Sequence, residues 1–148
     1  MPLITAPLRD VATATPRTRL LSVALDARAF DFQPGQAVMV GAHGQAQRRP
    51  YSIACSPERA AETQTLELLI ALDDGAAFGP HLEQAAPGAL VDIEGPLGTF
   101  VIPAGPLPSR LLFVAGGTGI APLRAMIDHV LRRPDPPAIS LLYSARGG

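Results

Sequence analysis

The first hundred residues read as short apolar runs broken by turn residues. "TRLLSVALD" (Thr18–Asp26) is apolar and β-branched, and "QPGQAVMVGA" (Gln33–Ala42) opens on a Pro-Gly turn and continues as a second strand. "RRPYSIACSP" (Arg48–Pro57) reads as a third strand closed by Ser-Pro. "TQTLELLIALDDG" (Thr63–Gly75) reads as a fourth, with Asp73, Asp74 and Gly75 as its turn. In "ALVDIEGPLGTFVI" (Ala89–Ile102), Leu90, Asp92 and Glu94 alternate with Val91 and Ile93 before two glycines interrupt the pattern. Between the fourth and fifth strands, "GPHLEQAAPG" (Gly79–Gly88) has helical composition for one or two turns. Pro80 suits its first position and Pro87-Gly88 its end. Short strands with turns between them predict an all-β antiparallel barrel or sandwich.

The pattern changes after "PAGPLPS" (Pro103–Ser109). "LLFVA" (Leu111–Ala115) is a continuous apolar run, as expected of a parallel strand covered on both faces. Leu123, Met126, Ile127, Val130 and Leu131 then follow helical spacing, with Arg132 and Arg133 at the C-terminal end and Pro134 as the stop. "AISLLY" (Ala138–Tyr143) reads as a second buried strand, which makes the segment a βαβ unit. The boundary falls near residues 103–110, giving a barrel over 1–105 and the beginning of an α/β unit over 106–148.

Composition narrows the function classes. Twelve basic and 13 acidic residues leave a net charge of −1 in 148 residues, so no electrostatic case exists for nucleic acid or an anionic membrane. No apolar run reaches the length of a membrane helix, and the N-terminus lacks the charged start and apolar block of a signal peptide. The single cysteine, Cys55, excludes an internal disulfide and any cysteine-built metal site. A reducing, cytoplasmic setting is expected.

Four stretches hold candidate chemistry. In "GGTGIAP" (Gly116–Pro122) the glycines allow a tight strand-to-helix turn, and the helix-start amides and dipole favour phosphate. The same residues also serve a plain strand–helix turn, and Pro122 replaces the third glycine of GxGxxG. In "RRPYS", Arg49 offers a planar fork for phosphate and Tyr51 a ring and a hydroxyl, both on one strand face, with Ser52 on the other. Pro50 removes a ladder donor and puts this stretch at an edge or beside a ligand. By itself the pattern is more often a surface arginine and a half-buried tyrosine on an ordinary strand. Ala77, Phe78 and Gly79 precede the short helix, with amides free for an anion or simply for starting that helix. "GPLG" (Gly95–Gly98) marks a bend. His43, His81 and His129 share no metal-ligand spacing and read as solvated or capping residues; Cys55 reads as a small buried apolar residue.

Taken in order, Arg49-Pro50-Tyr51-Ser52, Gly75…Gly79-Pro-His-Leu82, Gly95-Pro-Leu-Gly98 and Gly116–Pro122 resemble the ferredoxin–NADP⁺ reductase-like flavoproteins, over nearly the whole chain. The resemblance implies a six-stranded antiparallel Greek-key barrel that holds FAD, then a Rossmann-like α/β domain for NAD(P)H. It places Arg49 on the FAD diphosphate with Pro50 beside it, Tyr51 on the isoalloxazine, and Ser52 near flavin N5. The Ala77–Gly79 amides complete the diphosphate site. Gly79 stands where members usually carry Ser or Thr, so only amides remain there. Gly116, Gly117, Thr118 and Gly119 meet the nicotinamide dinucleotide, with Ser52 and Thr118 nearest the hydride transfer. FAD is preferred over FMN because of the paired diphosphate contacts, and Ser144 and Arg146 without an acid favour NADPH.

The family's α/β domain continues for several more strands, whereas this sequence ends after one βαβ unit. The expectation is a truncated flavin-dependent reductase passing electrons from NAD(P)H through FAD to an unidentified acceptor. It is a fragment or a prematurely ended product, or another chain supplies the rest. An open α/β edge would invite a partner chain or self-association. The alternatives are a non-enzymatic flavin-binding or electron-relay subunit that needs a partner, and a barrel without cofactor.

Overall fold

The computed structural model describes residues 1–146. Six strands form one antiparallel sheet: β1 (Leu3–Thr15), β2 (Thr18–Ala24), β3 (Ala37–Ala42), β4 (Arg49–Ser52), β5 (Thr65–Ala71) and β6 (Leu90–Leu97). Their order is β4-β3-β6-β1-β2-β5. Ile53, just past β4, bridges Leu68 of β5, so the two ends of the sheet meet and the barrel closes. Closure lets inward residues of every strand share one core. Leu21, Val23, Val38, Val40, Ile53, Leu66, Leu68 and Ile70 are essentially inaccessible to solvent.

The sequence reading supplied five barrel strands and missed β1, because Pro7 and Asp10 break its alternation. Tertiary pairing decides this segment. Leu3–Pro7 pair with β6 and Leu8–Thr15 with β2, with a register shift at Leu8/Asp10 as the strand turns from one neighbour to the other. Pro7 is the last residue on β6, where its missing N–H does least harm.

A second helix was also missed. Ser-Pro at Ser56-Pro57 does not merely close β4. Ser56 accepts a hydrogen bond from the Arg59 amide, and Pro57 is preset for the first turn of α1 (Pro57–Thr63). The helix expected over Gly79–Gly88 shrinks to one 3₁₀ turn, Pro80–Leu82.

The α/β unit comprises β7 (Arg110–Gly116), a 3₁₀ turn Gly117–Gly119, α2 (Ile120–Leu131) and β8 (Ala138–Ser144). β7 and β8 pair in parallel, Phe113 opposite Leu141. Only one face is covered: Phe113 and Ala115 pack with Leu123 and Met126 of α2. Leu112, Val114 and Leu142 on the opposite face are 67%, 62% and 63% exposed, so the expected cover on both faces is absent among the described residues. Leu131, placed in the helix stripe, is likewise exposed.

α2 is tied to the barrel through α1. The fully buried Ser56 hydroxyl donates to Asp128, whose carboxylate also faces Arg59 and Arg132. Arg132 forks onto Glu62, His129 meets Glu58 at 2.6 Å, and Arg124 donates to the Ala54 carbonyl and Glu67. Burial alone pushes the Asp128 carboxyl up, but the Ser56 hydroxyl and the two guanidinium groups outweigh it and hold the pKa below the ordinary 3.8. A folded-state pKa below the unfolded one gives stability that is present at neutral pH and lost as acid protonates the folded carboxyl. Thermal melts should therefore show the parent losing more stability than Asp128→Asn between about pH 5 and about pH 3. Parallel pH profiles for the two proteins would refute this role.

Among the described residues no helix is long and apolar enough to cross a membrane.

Candidate functional site

β4 lies against β3 alone in regular ladder pairing, with Val40 opposite Arg49 and Val38 opposite Tyr51. Alternation then sends both side chains to the same side, as the sequence required. Opposite them lies the β5–β6 connection. Asp73 and Ala77 form a two-residue bridge there, with the Asp73 amide donating to the Ala77 carbonyl at 2.8 Å. Gly75 (φ +82) and Ala76 (φ +58) take left-handed conformations at its tip, which is why a glycine sits there. Phe78 anchors the loop against the barrel core, and Gly79 leads into the 3₁₀ turn.

The loop delivers Asp73, Gly79 and His81 to the β4 face. Arg49 Nη1 meets Asp73 Oδ1 at 3.3 Å, with both side chains over a third exposed. The Tyr51 hydroxyl and His81 Nε2 are 2.6 Å apart, and their rings stack with centroids at 5.7 Å and an interplanar angle of 17°. An added Cβ on Gly79 would lie 2.8 Å from Asp73 Oδ2, 2.9 Å from Arg49 Nη1 and 3.0 Å from His81 Nδ1. Three polar atoms from three segments therefore surround one point. Burial raises the Tyr51 pKa against the opposing pull of Arg49, so the phenol stays protonated. Burial, reinforced by the Arg49 charge, lowers the His81 pKa, so the imidazole is neutral near pH 7. The result is a half-open niche with one guanidinium, one carboxylate paired to it, one neutral phenol and one neutral imidazole, suited to an anion that displaces the exposed carboxylate beside an aromatic surface.

Arg49, Tyr51 and Gly79 are thus brought together. Ala77 is exposed on the same loop, and Pro50 is exposed on β4. Ser52 ends β4, beside the bridge from Ile53 to β5. The glycine turn lies elsewhere. Gly116–Gly119 are all exposed, and Gly117 has φ +54. Gly117 and Thr118 line a cleft of about 540 Å³ with Thr15, Leu69, Tyr143 and Arg146, and Tyr143 donates to the Gly117 carbonyl at 3.1 Å. Pro122 occupies the third position of α2 rather than the first, still among amides without a helical partner.

Sequence reasoning undervalued two residues. Asp73 is more than a turn former, since it holds Arg49. His81 is neither solvated nor capping: it is 1% exposed and bound to Tyr51. Thirty positions separate that pair, and no local pattern announces it. His43 instead meets Asp92 at 2.8 Å, in a cluster with Thr5 and Arg48. Cys55 is buried, its thiol pushed up to about 11 by burial, which keeps it unreactive. Among the described residues no three His, Cys, Asp or Glu side chains are placed to hold a metal.

Residues 5–102 match the family model of the oxidoreductase FAD-binding domain, and residues 113–148 that of the oxidoreductase NAD-binding domain. Methane monooxygenase component C of Methylosinus trichosporium is 38% identical over 115 residues, covering 77% of this chain and 32% of that protein. Ferredoxin–NADP reductase B of Sorangium cellulosum is 36% identical over 124 residues, covering 82% of this chain and 49% of that protein. Among solved structures, the ferredoxin reductase in carbazole 1,9a-dioxygenase superposes with a TM-score of 0.78 at 26% identity, over 99% of this chain and 44% of that one. The chain thus spans between about a third and a half of these relatives. With the barrel, the arginine–tyrosine strand and the glycine turn in the family's order, the chain belongs to the ferredoxin–NADP⁺ reductase-like family of FAD- and NAD-binding oxidoreductases.

Proposed function

We propose that this chain holds FAD on the β4 face of its barrel and presents NAD(P)H at the glycine turn, as the flavin-binding part of an electron-transfer reductase. The observation that carries this reading is the convergence of Arg49, Tyr51 and His81 around Gly79. The niche fits the group. A guanidinium more than a third exposed is paired with an exposed carboxylate, and a buried imidazole nitrogen has no partner among the described residues. Arg49 would take the diphosphate, with the Ala77–Gly79 backbone and Pro50 lining it. The Tyr51 ring would cover the isoalloxazine, and the Ser52 hydroxyl would be the donor nearest flavin N5. Gly116–Gly119 would admit the nicotinamide dinucleotide closely because they carry almost no side chain, and Thr118 would orient its reactive end. When bound, FAD supplies the step from two-electron hydride chemistry to single-electron transfer, and the protein supplies position and polarity. The acceptor is a redox protein or small oxidant outside this chain.

The test is reconstitution. Purified chain incubated with FAD and desalted should stay yellow, and mass spectrometry of the released flavin should return FAD rather than FMN. Anaerobic NADPH or NADH should then bleach it. A colourless protein sinks the proposal. A yellow protein that neither nucleotide bleaches would instead favour the non-enzymatic flavin-binding or relay reading.

The Arg49–Asp73 pair leads to a smaller prediction. The Asp73 carboxylate occupies the fork that a phosphate would use and repels an incoming anion. An exposed pair of this kind contributes about 0.2–1 kcal/mol. Asp73→Asn should therefore tighten FAD binding by about two- to fivefold in a fluorescence titration. Unchanged or weaker binding would show that Asp73 does not compete.

A further inference from the structure

The His81 side chain is almost wholly enclosed, 1% exposed, yet its Nδ1 has no hydrogen-bond partner among the described residues. Buried polar atoms of this kind are rare in native proteins, because leaving one unmade sacrifices its hydration for nothing. The other ring nitrogen explains its state. Nε2 lies 2.6 Å from the Tyr51 hydroxyl. A phenol is the better donor to a neutral imidazole, so Nε2 accepts and Nδ1 carries the proton. Nδ1 lies beside Gly79, 3.0 Å from where a Cβ would stand, with Arg49 Nη1 and Asp73 Oδ2 about the same point. A Cβ at position 79 would crowd all three atoms, so glycine lets the cation, the carboxylate and the unused donor draw together there.

We propose that His81, as its Nδ1–H tautomer, is the donor that grips the anionic diphosphate of the bound flavin dinucleotide at Gly79, alongside Arg49. This deepens the reading of the site given above and rests on it. Tyr51 sets the tautomer by holding Nε2, so one tyrosine both offers a ring and aims a second residue's proton. The arrangement commits the site to an anion. In its absence the N–H stays unpaired, and the Asp73 carboxylate, on the exposed side, pairs with Arg49 instead.

Three measurements test this. In the parent protein, nitrogen-detected NMR of His81 should report the Nδ1–H tautomer, with the Nδ1 signal shifting on addition of FAD or ADP but not of riboflavin, which lacks phosphate. An Nε2–H tautomer, or a signal indifferent to FAD, overturns the assignment. Second, His81→Gln keeps an acceptor for Tyr51 and loses the Nδ1 donor, whereas His81→Asn keeps a donor near Nδ1. A hydrogen bond to a charged group corresponds to about 10- to 100-fold in affinity. FAD affinity should fall by about that factor in His81→Gln, stay within about threefold of parent in His81→Asn, and riboflavin affinity should hold in both. Equal loss of FAD and riboflavin would mean that His81 acts only by supporting Tyr51, and overturns the proposal. Third, Gly79→Ser added to His81→Gln places a hydroxyl at the same point and should restore FAD affinity; no recovery counts against it. If the parent itself binds no FAD, the site reading fails. If the parent binds FAD and His81→Gln binds equally, only the histidine assignment fails.

Discussion

Arg49→Ala should weaken FAD binding by about 10- to 100-fold while leaving the fold intact. A hydrogen bond to a charged group is worth about 1.5–3 kcal/mol, which is about 10- to 100-fold, and the guanidinium plane matches phosphate. Removing the side chain should barely touch stability, because it is more than a third exposed and its one ion-pair partner, Asp73, is at the surface too. The chemistry also predicts which ligand notices the change. Riboflavin has the ring but no phosphate, so its affinity should move by less than about threefold in Arg49→Ala. Arg49→Lys should recover only part of the FAD affinity, since an ammonium is a point charge without the fork. Tyr51→Ala should behave differently and weaken FAD and riboflavin alike, because it removes the aromatic surface that both rings share. Fluorescence titrations of the three variants with the two ligands separate these roles. Arg49→Ala binding FAD as firmly as the parent would remove the basis of the proposed site.

Gly35→Ala is expected to be the most destabilising single-methyl change in the chain. Pro34-Gly35 forms the turn before β3, closed by the Gln36 amide donating to the Gln33 carbonyl at 3.1 Å. Gly35 has φ +107, a conformation that side chains resist, at about 1–3 kcal/mol. An added Cβ would also overlap the Phe100 carbonyl oxygen and the Met126 methyl. One of these is backbone and the other sits 3% exposed in the α2 core, so neither yields freely. Overpacking of this sort costs about another 1–3 kcal/mol. Together about 3–5 kcal/mol should be lost, a fall of roughly 10–15 °C in Tm. Because the turn touches both the segment after β6 and α2, the two parts of the chain should melt together and earlier. Thermal unfolding followed by far-ultraviolet circular dichroism reads this directly. A loss under about 1 kcal/mol would mean that this junction is looser than its contacts indicate.

Much of this architecture was legible residue by residue. Apolar runs bounded by turn residues announced β2, β3 and β5, alternation announced β6, and helical spacing announced α2, because each is a local consequence of burying apolar side chains. Pro34-Gly35 declared its turn through backbone chemistry alone. Arg49 and Tyr51 could be placed on one face because strand side chains alternate without regard to what lies opposite. The ordered glycine, arginine and tyrosine stretches indicated a dinucleotide-handling barrel only through their resemblance to the family.

Tertiary structure decided the rest, wherever the partner lies far away in sequence. β1 is a strand because β6 and β2 each take half of it, not because its own pattern is strong. Leu112, Val114 and Leu142 look like core residues by hydropathy, yet the described chain brings nothing to that side of the two-stranded sheet. Asp73 and His81 looked like a turn former and a surface histidine until the β5–β6 connection carried them to the β4 face. Sequence alone determined the alternation of faces within the strands it found and where the turns need glycine, because those depend on neighbours a few residues apart. Only the closed barrel determined which polar atoms converge on one point, since that depends on the register of strands tens of residues apart.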